Sequence, residues 1–114
     1  MLMQEFKVIG RIGKVGELKP IPEKELVVAE FSVASQGFYD KENQVTETHW
    51  LNFAAFNKDA EKVVNNLEPG DIVEVKFQIV NDVQKVGGKN VHGYKLRLLD
   101  IGFVWLKKWA NNGN

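Results

Sequence analysis

Flat rings and cations carry whatever chemistry this chain has, and the rings between Thr46 and Phe56 are placed most tellingly. Successive side chains of a strand point to opposite faces. Leu51, Phe53 and Ala55 therefore share one face and suit an interior, whereas Thr48, Trp50, Asn52, Ala54 and Phe56 share the other. Two large rings thus stand among polar neighbours, where a simple core strand would have none. A ring in that position can stack on another π-face, and an unpaired nucleobase is such a partner whatever its sequence. The alternative is that Trp50 and Phe56 pack beneath a loop or against another subunit. Phe38 and Tyr39 add two adjacent rings within Gln36 to Gln44, a polar stretch that reads as a turn, from which they either stack or fold back onto the sheet.

Catalytic and metal chemistry find little support. His49 and His92 are the two histidines, they fall in different strands or turns, and neither neighbours a cysteine or a carboxylate cluster of metal-ligand type. Gly88-Lys89 has Val83 where a phosphate-binding loop needs its first glycine, and no Ser or Thr follows the lysine. The expectation is a protein that is not an enzyme, with no metal and no cofactor. With no cysteine there is no disulfide framework and no thiolate site, so the cytosol is the expected compartment. No apolar run has the length of a membrane span, and Met1 to Lys7 lacks the apolar block of a secretory signal.

The 114 residues suit one domain. The formal net charge is zero, but six of the fifteen basic residues (Lys85, Lys89, Lys95, Arg97, Lys107 and Lys108) fall between Val83 and Ala110 with the single acid Asp100. A basic strip on a neutral chain is compatible with binding phosphate, because a polyanion responds to the local field.

The periodicities place these residues. Phe6 to Gly13 reads as a strand that sends Lys7 and Arg11 from one face, with Gly10, Gly13 and Gly16 marking curvature or a bulge at its end. Lys19 to Lys24, with Pro20 and Pro22, reads as a loop, and Leu26 to Ser35 as a second strand. After the third strand, Ala60, Val63, Val64 and Leu67 recur at helical spacing between a capping Asn57 and a terminating Pro69-Gly70. Asp71 to Val80 and Tyr94 to Phe103 alternate again, and Gly87-Gly88-Lys89-Asn90 makes them a long hairpin. The expected class is all-β with one short α-helix: a five-stranded OB-fold barrel, helix between strands three and four. Such a barrel binds oligonucleotides along the face of strands two and three and the loops joining strands one to two and four to five.

Specific segments then resemble the single-stranded DNA-binding proteins of bacteria and phages, the SSB family. They are Val8-Ile9-Gly10-Arg11-Ile12-Gly13, Ala29-Glu30-Phe31-Ser32-Val33-Ala34, Thr48-His49-Trp50, Ala55-Phe56-Asn57-Lys58-Asp59-Ala60-Glu61 and Leu67-Glu68-Pro69-Gly70-Asp71. The resemblance implies a domain over residues 1–104 and a short C-terminal extension, 105–114. It implies sequence-independent binding and protection of single-stranded DNA in replication, recombination or repair, inside a bacterial cell or a phage-infected host. Its stacking rings match Trp50, Phe56 and Phe38, beside Tyr39, and its phosphate-contacting lysine matches Lys58. Lys7, Arg11, Lys85, Lys89, Lys95 and Arg97 complete the candidate phosphate track.

A homo-oligomer, dimer or tetramer, is expected as well. Three departures stand out. The hairpin position where many members place a further tryptophan falls near Val83 to Lys85, Glu68-Pro69 replaces a basic turn, and the chain ends without the acidic, aromatic tip that recruits repair enzymes. The last suggests either a short, phage-type member or a domain cut from its tail. Trp105 and Trp109, spaced i, i+4, are expected to anchor a terminal turn. The competing reading is an OB-fold module that binds protein and has no nucleic-acid affinity.

Overall fold

Alternating apolar residues turn most of the chain into strand. The computed structural model describes residues 4–42 and 44–111, the side chains of residues 37–40, 45, 46 and 111 excepted. In chain order the elements are β1 (Phe6–Val15), β2 (Lys19–Ile21), β3 (Leu26–Asp40), β4 (Val45–Phe56), α1 (Lys58–Asn66), β5 (Ile72–Val86), β6 (Lys89–Trp105) and α2 (Lys107–Asn111). The strand order is β1-β5-β6-β4-β3-β2, and a further β1–β3 pairing closes five strands into a barrel, with the three-residue β2 outside on β3. The architecture is the expected OB-fold, its helix lying between the third and fourth barrel strands.

Closure depends on β1 serving two ladders. It pairs with β5 from Phe6 to Arg11 and with β3 from Arg11 to Val15, and its register shifts between Ile12 and Lys14, at Gly13. The inward residues Phe31, Val33, Phe53, Val73, Val75 and Leu98 fill the interior. Phe53 stacks on Phe31 at 5.4 Å between centroids and meets Phe77 edge-on at 5.0 Å, so three strands share one aromatic cluster. Helix α1 adds Ala60 and Val63 to this core from one face, and Leu67 follows at its C-cap.

Asp71, 1% exposed, ties the barrel to the chain's last turn. Its Oδ2 accepts from the Glu68 N–H at 2.8 Å and its Oδ1 from the Lys107 N–H at 2.7 Å, so a buried carboxylate satisfies backbone donors of two segments. Its own backbone oxygen accepts from Ile12 N–H at 2.7 Å.

Several local expectations change. β3 does not stop at Ser35. After an irregularity between Gln36 and Tyr39 its ladder with β4 resumes at Tyr39↔Thr46 and Asp40↔Val45, so the stretch read as a turn is mostly strand. The segment read as a proline loop contributes β2, where Pro20 lies opposite Val27 on an outer strand that can spare an N–H. The hairpin is paired up to Val86↔Lys89 beside Gly87 and Gly88, both at positive φ, so β5 and β6 absorb most of the expected turn. Asn57 precedes α1, but its side chain does not cap it. Its Oδ1 accepts from Val27 N–H at 3.1 Å and fastens the helix entrance to β3. Trp105 ends β6 while Trp109 lies in α2, so the two do not share one helical turn; both are exposed, and the buried anchor between them is Leu106.

Candidate nucleic-acid interface

The outer face of the β3–β4 ladder is set by four opposed pairs: Ala34↔Trp50, Ser32↔Asn52, Glu30↔Ala54 and Val28↔Phe56. Trp50 is 58% exposed. Its indole reaches across the small β3 side chains to β1, where a Cβ on Gly13 would overlap Cζ3 of the ring and stand 2.8 Å from Cη2. The hydrogen side chain at the β1 bulge therefore provides the seat on which the indole lies. Phe56, six residues along the strand and about 20 Å away, is half-buried, and the Arg97 guanidinium carbon lies 5.4 Å from its ring centroid.

β6 meets β4 in parallel over only two pairs, Phe53↔Leu96 and Ala54↔Arg97. That seam buries Ala54 although its parity is outward. Away from the seam, towards Val45 and Lys89, no pairing joins the two strands, and a cleft of about 320 Å³ opens there, lined by Glu30, Trp50, Asn52, Tyr94 and Lys95 among others. A second cleft of about 350 Å³ includes Lys14, Lys19, Glu30, Ser32 and Asn52, and a third of about 300 Å³ includes Gly13, Lys14, Trp50 and Asn52. Asn52 borders all three, so the clefts lie side by side as a groove across the sheet face, with Lys14 and Lys19 towards one end and Tyr94 and Lys95 towards the other.

The expected site residues divide accordingly. Trp50, Phe56, Lys95 and Arg97 gather along this face, and the exposed Lys58 opens α1 two residues after Phe56. Lys85 and Lys89 stand exposed near the hairpin turn. Lys7 and Arg11 line a different cleft, about 580 Å³, with Ser35 and Gln36; Lys7 pairs with Glu74 at 3.5 Å and Arg11 Nη1 donates to the Gly70 carbonyl at 3.1 Å. The side chains of Phe38 and Tyr39 lie outside the described residues.

Four groove residues escaped the sequence reading: Lys14, Lys19, Glu30 and Tyr94. The last, 78% exposed, has the inward parity of Leu96 and Leu98, but it lies beyond the β4–β6 seam, where that face of the hairpin borders the groove instead of the core. Among the described residues no group of three or more His, Cys, Asp or Glu could hold a metal ion, and no helix is long and apolar enough to cross a membrane.

A barrel with this groove has a counterpart among known families: residues 3–104 match the single-strand binding protein family. The chain belongs to that family. Membership supports binding of single-stranded DNA, in a family that is non-catalytic. None of the curated proteins searched matches this SSB-family chain.

Proposed function

We propose that this SSB-family domain holds single-stranded DNA by stacking bases on Trp50 and Phe56, with Tyr94 forming the opposite wall of the cleft beside Trp50. The observation that carries the reading is the exposed indole, held against Gly13 in a cleft of the outer sheet face. Each stacked base contributes about 1–3 kcal/mol. The phosphates run along the rims, near Lys14 and Lys19 at one end and Lys58, Lys95 and Arg97 at the other, and Lys85 and Lys89 extend the track along the hairpin. Arg97 already lies over Phe56, so a base stacking there takes up the exposed part of the ring or is held beneath the guanidinium.

Strand protection during replication, recombination or repair, in the cytoplasm of a bacterium or a phage-infected host, is the role this chemistry serves. One barrel gives a strand limited contact length, so we further propose that the protein works as a homodimer or homotetramer. Fluorescence anisotropy of a labelled oligo-dT and a matched duplex tests the binding mode. The single strand is expected to bind far more tightly, and Trp50→Ala to lose about 1–3 kcal/mol; equal binding of both nucleic acids would overturn the proposal.

A further inference from the structure

The least expected member of the groove is an acid. Glu30 projects from β3 on the same face as Trp50, Asn52 and Phe56, opposite Ala54 and therefore between the two rings. It is exposed, it lines both the cleft towards Lys19 and the cleft towards Tyr94, and its carboxylate makes no hydrogen bond or ion pair among the described residues. A strand that runs along this face from Trp50 to Phe56 passes alongside it.

A lone carboxylate in that position makes two physical demands on the ligand. It repels phosphate, which keeps the backbone on the lysine rims and turns the bases towards the sheet. It also accepts hydrogen bonds and donates none, so it matches bases by the donors on their edges. Cytosine and adenine present an exocyclic amine, and guanine presents an amine beside a ring N–H. Thymine offers one N–H flanked by two carbonyl oxygens, each of which opposes the carboxylate. Asn52, one pair along the ladder, carries both a donor and an acceptor and does not discriminate in the same way.

We propose that Glu30 is a base-discriminating residue of the groove, favouring bases with an exocyclic amine over thymine at the position between Trp50 and Phe56. The inference rests on the stacking mode proposed above and adds a preference to it. Cytosine and thymine are the informative pair, because both are pyrimidines and differ mainly in the edge that Glu30 would meet.

The test compares Kd values for oligo-dC and oligo-dT of equal length, at one salt concentration, for the wild type, Glu30→Gln and Trp50→Ala, with thermal melts to confirm that each variant is folded. Gln keeps an acceptor for cytosine, gains a donor for the thymine carbonyls and removes the negative charge. Glu30→Gln should therefore bind both strands more tightly, and should shift the dT-to-dC affinity ratio towards dT by about 3- to 10-fold, the worth of one ordinary hydrogen bond. Glu30→Ala, which removes the charge and adds no donor, should shift the ratio in the same direction by less. An unchanged ratio in both Glu30 variants overturns the discrimination, even if Trp50→Ala weakens both strands and so upholds stacking. Failure of Trp50→Ala to weaken either strand would overturn the stacking mode instead.

Discussion

Replacing Gly13 by alanine perturbs the groove without substituting any residue proposed to contact DNA. The added methyl would overlap Cζ3 of Trp50 and lie 2.8 Å from Cη2, where carbon atoms settle at about 3.5–4.0 Å, so the indole has to retreat by about 1.5 Å. Trp50 is exposed enough to move, and no positive φ constrains Gly13, so the backbone accepts alanine and the core is left alone. The expected cost falls on binding. A displaced ring loses part of one base stack, about 0.5–1.5 kcal/mol of the 1–3 kcal/mol the whole stack is worth, or roughly 2- to 10-fold in Kd.

Anisotropy titration of a labelled oligo-dT would measure that loss, and a thermal melt would show a midpoint near the wild type's. A double-mutant cycle makes the assignment specific: in a Trp50→Ala background, Gly13→Ala should have almost no further effect on affinity, because the ring it displaces is gone. An unchanged Kd for Gly13→Ala with the indole present, or equal losses in both backgrounds, would refute the seat.

Further outcomes follow from the same geometry. Lys95→Ala should weaken single-strand binding and reduce the slope of log K against log salt by about 0.7, the loss of one phosphate contact, whereas Lys7→Ala, paired with Glu74 in the separate cleft, should leave the slope within error. Asp71→Ala should lower stability by about 1–3 kcal/mol in urea unfolding, because it removes a buried carboxylate's bonds to the part-buried N–H groups of Glu68 and Lys107. Phe56→Ala should cost less affinity than Trp50→Ala in the same titration, since its ring is half-buried and already covered by Arg97.

Much of this barrel was legible because its signals are short-range and repeated. The helical spacing of Ala60, Val63 and Leu67 and the alternation of Val73, Val75 and Phe77 each specify one buried face, and both faces are buried in the structure. Trp50 was legible for the converse reason, a large ring on the parity that the core does not use. Parity failed where position relative to a third strand decides burial. Ala54 is outward by alternation yet covered by the β6 crossing, and Tyr94 is inward by alternation yet exposed, because β6 leaves β4 just before Leu96.

Other misses have a related cause. Gly13 read as a bulge, and nothing local announces that an indole from two strands away rests on it. Glu30 was hidden within an ordinary alternating strand, where an outward acid normally means only solvent. Its significance comes from the opposed pairs that set it between two rings.

The claim that most depends on measurement is that bases meet the indole at position 50. The chain has three tryptophans, so Trp105→Phe and Trp109→Phe together leave Trp50 as the sole indole emitter. Titrating that variant with oligo-dT should quench its emission strongly and saturably, at the same concentration at which anisotropy reports binding, while duplex DNA leaves it nearly unchanged. Binding of oligo-dT with no change in Trp50 emission would contradict the account.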